Sequence, residues 1–109
     1  MLLSIIRLYP APENEHAVID VLNSLKGPIS ALTDCVDCLI LSEANEHASV
    51  CYLEMWKTRE ALNEHLQSTL YGRVLEAVEL SKSNPIVEFY EVERIGGLEY
   101  IEFVRTPQR

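Results

Sequence analysis

The hydrophobic period of the sequence changes after Trp56, and this change constrains the fold more than any other feature. The stretch Val50–Trp56 alternates between two faces, as a β-strand does. From Thr58 to about Lys82 the apolar residues instead recur at helical spacing, and Thr58 and Ser68 are typical helix N-cap residues. The sequence therefore predicts a strand that leads directly into two consecutive helices.

The rest of the chain predicts one more helix and four more strands. A helix beginning near Pro12 is expected to end at Gly27-Pro28, since this pair usually terminates helices. The polar residues 44–47 predict a hairpin turn before Val50. The other predicted strands are Leu2–Tyr9, Cys38–Glu43 (with Cys35 as an alternative start), Ile86–Glu93 and Leu98–Arg105. Residues 1–109 should form a single domain, folded over 1–105 with a loose tail at 106–109.

The order of these elements is βαββαβ followed by an additional C-terminal strand. This order is typical of the ferredoxin-like fold, an α+β arrangement in which two helices cover one face of an antiparallel sheet. The predicted strands are apolar on both faces, however, so the second face also needs a cover. A second copy of the sheet is the simplest candidate, and the sequence therefore predicts a homodimer.

An ordered set of short motifs resembles the signature of the antibiotic biosynthesis monooxygenase (ABM) domain family. The motifs are Glu54-Met-Trp56, Glu60-Ala61-Leu62, His65-Leu-Gln-Ser68 and the aromatic Tyr71. The resemblance implies a ferredoxin-like domain that dimerises sheet to sheet as a dimeric α/β barrel. It also implies oxidation of an electron-rich aromatic molecule, such as a polyphenol or quinol, by O₂ without metal or flavin.

Three aromatic residues are candidates for binding the substrate. Trp56 is either a core aromatic or a wall of an aromatic-binding cavity, and the resemblance favours the cavity. Tyr71 and Tyr52 are each interpreted as packing residues that can also donate a hydrogen bond inside such a cavity. A cavity between the sheet and the helices, lined by these side chains, is the predicted site.

Two ionisable residues are the candidate catalytic groups. His65 is either a partly exposed helix residue or a general base, because imidazole changes its charge near neutral pH. Glu54 lies on the Trp56 face of its strand and could act as a base or orient a substrate hydroxyl. The alternative for Glu54 is a structural salt bridge with Arg7. The resemblance also extends to relatives that degrade haem, but haem is disfavoured: their pattern has Trp at the position of His65 and the haem-ligating His at the position of Leu75.

The cysteines do not favour a zinc site, although Cys35, Cys38, His47 and Cys51 could be written as one. No glycine follows the C-x-x-C pair, and if both its cysteines lie in one strand they should face opposite sides. Small buried strand residues are the preferred interpretation, with Cys38 and Cys51 possible neighbours across the hairpin. An odd number of cysteines without framework spacing is typical of a reducing, cytoplasmic location.

The charge and motif content exclude several function classes from the prediction. The formal net charge of −8, without a basic cluster, argues against nucleic acid and anionic membrane surfaces as partners. No nucleotide, flavin or metal motif occurs, so no cofactor is predicted. The predicted partners are a second copy of the chain and a small aromatic molecule. A non-catalytic, dimeric ligand-binding or structural protein of the same fold is the alternative function.

Overall fold

A computed structural model describes residues 1–43 and 49–107, so the predicted turn at 44–47 lies outside the described residues. Four strands and four α-helices lie along these ranges. The elements are β1 (Leu2–Leu8), a 3₁₀ turn (Pro12–Asn14), α1 (Glu15–Ser30), β2 (Cys35–Ser42), β3 (Val50–Trp56), α2 (Arg59–Leu66), α3 (Thr69–Val78), β4 (Ile86–Glu91) and α4 (Leu98–Arg105).

The four strands form one antiparallel sheet in the order β2-β3-β1-β4. The antiparallel pairing of β2 with β3 confirms the predicted hairpin partners, and β1 lies between β3 and β4. This strand order, with helices α1 and α2–α3 as the crossovers, is the ferredoxin-like α+β arrangement predicted from the sequence.

Helices α1, α2 and α3 cover one face of the sheet and enclose the core. On α1, four completely or almost completely buried residues recur at spacings of four, three and four, which places them on one helical stripe. The buried residues of β3 are its alternate positions, beginning at Val50 and ending at Trp56, as the sequence predicts. The α1 stripe consists of Val18, Leu22, Leu25 and Ile29.

The prediction that Gly27-Pro28 ends the first helix is wrong. Helix α1 continues through Pro28 to Ser30, and the Ala31 amide donates to the carbonyl of Gly27 over 3.1 Å. Proline removes one backbone donor, but so close to the helix end it disturbs only the last turn. Burial of Ile29, which is 0% exposed, holds this last turn against the core and outweighs the local cost.

The predicted fifth strand is also wrong, because Leu98–Arg105 forms helix α4. Its acids, Glu99 and Glu102, are three residues apart and so share a helical side, whereas strict alternation fails after Tyr100. The Glu99 carboxylate accepts a hydrogen bond from the Gly97 amide, which lowers the pKa of Glu99 and stabilises the helix start. No residue of α4 is buried. Within the described ranges, no helix has both the length and the apolar character needed to cross a bilayer.

The sheet face opposite the helices is apolar and open in the isolated chain. One row across it joins Leu39, Leu53, Ile5 and Glu88, with Leu39 39% exposed on the edge strand. A parallel row joins Leu41, Cys51, Arg7 and Ile86. A monomeric soluble domain rarely leaves such a continuous apolar surface in water.

Candidate functional site

Two short helices position His65 above the sheet. The Thr58 hydroxyl accepts from the Ala61 amide at 3.1 Å and starts α2, and Ser68 accepts from the Tyr71 amide at 3.1 Å and starts α3. Both predicted N-caps are thus confirmed. The Ser68 hydroxyl also donates to the His65 carbonyl at 2.6 Å. The side chain of His65, held at this junction, is 1% exposed, so it is not the partly exposed helix histidine of the alternative interpretation.

The Glu54 carboxylate lies beneath His65 in the centre of the sheet and is completely buried. Its Oε2 accepts a hydrogen bond from the Tyr52 hydroxyl at 2.5 Å and lies 3.0 Å from His65 Nε2. Its Oε1 accepts from Trp56 Nε1 at 3.0 Å. Three donors on one carboxylate satisfy most of its acceptor capacity, which compensates for its removal from water.

This hydrogen-bond pattern assigns the tautomer of His65. Indole nitrogen can only donate, and an ionised carboxylate can only accept. With an ionised Glu54, His65 Nε2 is the donor in this contact, and in the neutral ring Nδ1 then carries a free lone pair. Nδ1 is buried and has no hydrogen-bond partner in the described part of the chain. A buried nitrogen without a partner is uncommon, and here it is the basic atom of the imidazole.

Aromatic rings surround the His65 imidazole on two sides. The Trp56 ring centroid lies 4.7 Å from that of His65 at an interplanar angle of 33°. Tyr71 meets His65 edge to face at 5.2 Å and 82°. These contacts fix the ring plane of His65 and reduce the number of rotamers that it can adopt.

A half-open cavity of about 270 Å³ adjoins this cluster between the α1–β2 connection and the α2–α3 junction. Trp56 and His65 both line it. Tyr71, Tyr52 and Glu54 are not among its lining residues, because they lie behind His65 or within the sheet. The remaining lining residues are Leu32, Thr33, Ala61, Glu64, Ser68 and Leu70.

The suggested salt bridge between Glu54 and Arg7 is wrong. Arg7 is paired with Cys51 and Ile86, so its side chain lies on the open face of the sheet. Glu54 is paired with Ser4 and Cys38 on the helix-covered face. The carboxylate is therefore compensated by neutral donors, and no Lys or Arg pairs with it in the described residues.

A β-bulge in β2 changes where the cysteines point. The register shifts between Cys35 and Asp37, so Cys35 is opposite Trp56 and Cys38 is opposite Glu54. Both cysteines hence share the helix-covered face, and the expectation of opposite faces is wrong. Cys51 is opposite Leu41 on the other face, so it does not face Cys38. His47, from the rejected zinc set, lies outside the described residues.

Burial and the Glu54 charge keep the neighbouring tyrosine and cysteine side chains protonated. Burial is the main cause that raises the pKa of Tyr52, followed by Glu54, so this phenol remains a donor. The same two causes raise the pKa of Tyr71 to about 12. Burial, then Cys38 and Glu54, raise the pKa of Cys35 to about 11, and burial also raises that of Cys38. These four groups add no charge near the carboxylate at neutral pH.

Sequence reasoning did not assign most of the cavity-lining residues to the site. Counted from His65, Ala61 lies four residues before it and Ser68 three residues after it, so helical spacing could have placed both on the same helical face as His65. Glu64 is the residue directly before His65. Leu32 and Thr33 belong to the α1–β2 connection. Their position depends on how α1 ends and on the left-handed backbone of Asp34 (φ 67°), neither of which a sequence pattern indicates.

The fold and this site define a small ferredoxin-like domain with a buried glutamate–histidine pair beside an aromatic-walled cavity. The chain belongs to the antibiotic biosynthesis monooxygenase family, whose model matches residues 1–77. That match covers β1 to α3 and contains Glu54, Trp56, His65 and Tyr71. No functionally curated protein matches the chain.

Solved structures share this fold over nearly their whole length. Rv0793 from Mycobacterium tuberculosis is 23% identical, with a TM-score of 0.76 over 87% of this chain and 98% of that chain. A candidate antibiotic biosynthesis monooxygenase from Deinococcus radiodurans is 15% identical, with a TM-score of 0.78 over 89% and 97%. PA3566 from Pseudomonas aeruginosa is 19% identical, with a TM-score of 0.72 over 85% and 94%. At these identities the likeness establishes the fold alone.

Proposed function

We propose that this protein is a monooxygenase that uses O₂, without metal or flavin, to oxidise an electron-rich phenol or quinol. The observation that carries the proposal is the lone pair of His65 Nδ1, which has no partner among residues 1–43 and 49–107 and belongs to a ring that lines the cavity. Membership of the antibiotic biosynthesis monooxygenase family supports the reaction class. Fold alone does not assign a reaction, so the argument rests on the site.

The chemistry begins with removal of the phenol proton by His65 Nδ1. The resulting phenolate is electron-rich and passes one electron to O₂, and the radical pair combines to form a carbon–oxygen bond. The imidazolium returns its proton to the resulting peroxide, and loss of water from this hydroperoxide then leaves a quinone. One oxygen atom of O₂ enters the product and the other leaves as water, and the substrate supplies all the electrons.

The protein's part in this scheme is to bind, orient and deprotonate. Glu54, held by Tyr52 and Trp56, keeps the imidazole oriented and stabilises the imidazolium that forms when Nδ1 takes the proton. The Trp56 indole supplies an apolar wall for an aromatic ring. Burial of the carboxylate strengthens its interaction with the new positive charge.

The size of the cavity favours a small substrate. A volume of about 270 Å³ lies just below the ~300–1,000 Å³ that is typical of small-molecule sites. We therefore expect a substrate with one or two rings. Thr33 and Glu64 are exposed lining residues that can accept hydrogen bonds from a second hydroxyl of a diphenol.

The working form in this proposal is a homodimer joined through the open sheet faces. An isologous contact would bury the rows that contain Leu39, Leu53 and Ile5, and it would bring two copies of Arg7 and Glu88 into the same interface. Opposite charges within a self-complementary surface can pair across the two-fold axis. The three free thiols fit a reducing cytosol as the location.

O₂ uptake by metal-stripped, flavin-free protein tests the proposed activity. The panel is a series of monocyclic and bicyclic diphenols, with the corresponding methyl ethers as matched controls that have no proton to lose. We expect uptake that scales with protein and consumes one O₂ per diphenol, and none with the ethers. Saturable binding of diphenols without any uptake would replace the proposal with the alternative, a ligand-binding dimer.

A further inference from the structure

Tyr52 contacts the reactive pair from inside the sheet, away from the cavity. Its hydroxyl donates over 2.5 Å to Glu54 Oε2, the same oxygen that lies 3.0 Å from His65 Nε2. Its side chain is 1% exposed and does not line the cavity. We infer that Tyr52 is a positioning residue that determines on which member of the Glu54–His65 pair a proton resides. This inference rests on the proposed function, since it assigns a role within that site.

Hydrogen-bond donors on a carboxylate stabilise its charged form. When His65 takes a proton, the pair can exist as imidazolium and carboxylate, or as neutral imidazole and carboxylic acid. The Tyr52 donor on Oε2 favours the first arrangement, because a protonated Glu54 would accept this bond less strongly. Without the donor the carboxylate is more basic, and the pair as a whole binds a proton more tightly.

Cys38 extends this series of hydrogen bonds to the edge strand β2. Its thiol lies 3.4 Å from the Tyr52 hydroxyl, to which it donates, and Cys38 is opposite Glu54 in the β2–β3 register. A donor on the phenol oxygen leaves the phenol hydrogen free to point at Glu54 Oε2. The register shift next to Val36 is what places Cys38 on this face, so the bulge contributes to the site.

Trp56 also donates to Glu54, but its role cannot be separated from binding because its ring lines the cavity. At Tyr52 the effect on the Glu54–His65 pair can be measured apart from ligand binding, because removing its hydroxyl leaves the cavity lining unchanged. The titratable groups that face Glu54 come from two strands and two helices, and the thiols and phenols among them are neutral at pH 7. They are Cys35 and Cys38 from β2, Tyr52 from β3, His65 from α2 and Tyr71 from α3.

The test is a pH titration of the His65 ring nitrogens by ¹⁵N NMR, which needs no substrate. In Tyr52→Phe the midpoint of this titration should move up by about one pH unit, because a hydrogen bond to a charged acceptor is lost. Tyr90→Phe is the matched control, since it removes an exposed tyrosine–carboxylate bond to Glu88 on β4. We expect its titration to coincide with that of the wild type.

Equal midpoints in Tyr52→Phe and wild type would overturn the inference and leave Tyr52 as a packing residue. If Tyr52→Phe does not fold, Cys38→Ala removes the neighbouring donor instead and should shift the midpoint in the same direction by a smaller amount. No shift in that variant would also overturn it. With an active diphenol, the acid limb of the rate profile should move with the NMR midpoint and KM should stay constant. A shifted midpoint without any O₂ uptake would support the positioning role of Tyr52 and would refute only the proposed function.

Discussion

His65 Nε2 and Glu54 Oε2 lie 3.0 Å apart between α2 and the centre of β3, and neither side chain is more than 3% exposed. The two residues are eleven positions apart in the sequence. Their contact joins β3 to α2, the strand and the helix on either side of the change in hydrophobic period after Trp56. With Nε2 held against Glu54, Nδ1 is the ring nitrogen of His65 that remains without a partner in the described residues.

Glu54→Gln should destabilise the fold by about 1–3 kcal/mol, because the amide replaces an acceptor by a donor among three donors. Urea unfolding measures the change in the free energy of unfolding. Glu76→Gln, at an exposed position of α3, is the matched control and should stay within about 0.5 kcal/mol of the wild type. A loss no larger than that of the control would mean that the three hydrogen bonds to Glu54 do not stabilise the native state.

The single tryptophan makes occupancy of the cavity directly observable. Because Trp56 is part of the cavity wall, binding of a naphthalenediol should change its fluorescence in a saturable manner. Ala61→Leu places three more carbon atoms in the cavity and should weaken this response about tenfold or more. Ala17→Leu, at an exposed position of α1, should respond as the wild type does. An unchanged response in Ala61→Leu would place the ligand elsewhere.

Leu39→Asp should convert the proposed homodimer into a monomer. Leu39 is 39% exposed at the edge of the open sheet face, and a charge there would be buried without a partner in a sheet-to-sheet contact. Leu75→Asp, on the solvent side of α3, is the control and should remain dimeric. Sedimentation equilibrium measures both. A wild-type chain that sediments as a monomer at micromolar concentration would contradict the proposed dimer.

Cys35 gives the stability of the fold a defined pH dependence. Its pKa rises from 9.0 to about 11, chiefly through burial, so the folded state favours the neutral thiol. This contribution is fully present below pH 9 and is lost as the pH rises through about 11. Under reducing conditions, the wild type should therefore lose more unfolding free energy than Cys35→Ser between pH 8 and 11. Parallel losses in the two proteins would show that the Cys35 thiol does not titrate differently on folding.

Sequence patterns predicted the face of β3 and both helix caps because these depend on local geometry. Alternation alone places Glu54 beside Trp56 on the covered face. The contact with His65 could not be derived in the same way, since it depends on how α2 docks on the sheet.

The sequence pattern gave a wrong prediction in two other places. A single inserted residue at the β2 bulge reverses the expected facing of Cys38 relative to Cys35. The sequence also predicts a strand over Leu98–Arg105, where the structure has a helix without a buried residue. Because no residue of this helix is buried, packing against the core does not select there between the period of a strand and the period of a helix.

The central claim is that His65 acts as the base in a reaction that needs only substrate and O₂. The most direct test compares O₂ uptake of the wild type and His65→Ala with the best diphenol of the panel. His16→Ala, at an exposed position of α1, is the matched control. We predict that His65→Ala keeps its fold and loses activity by ~10²-fold or more, while His16→Ala keeps both. Equal rates in His65→Ala and the wild type would contradict the account.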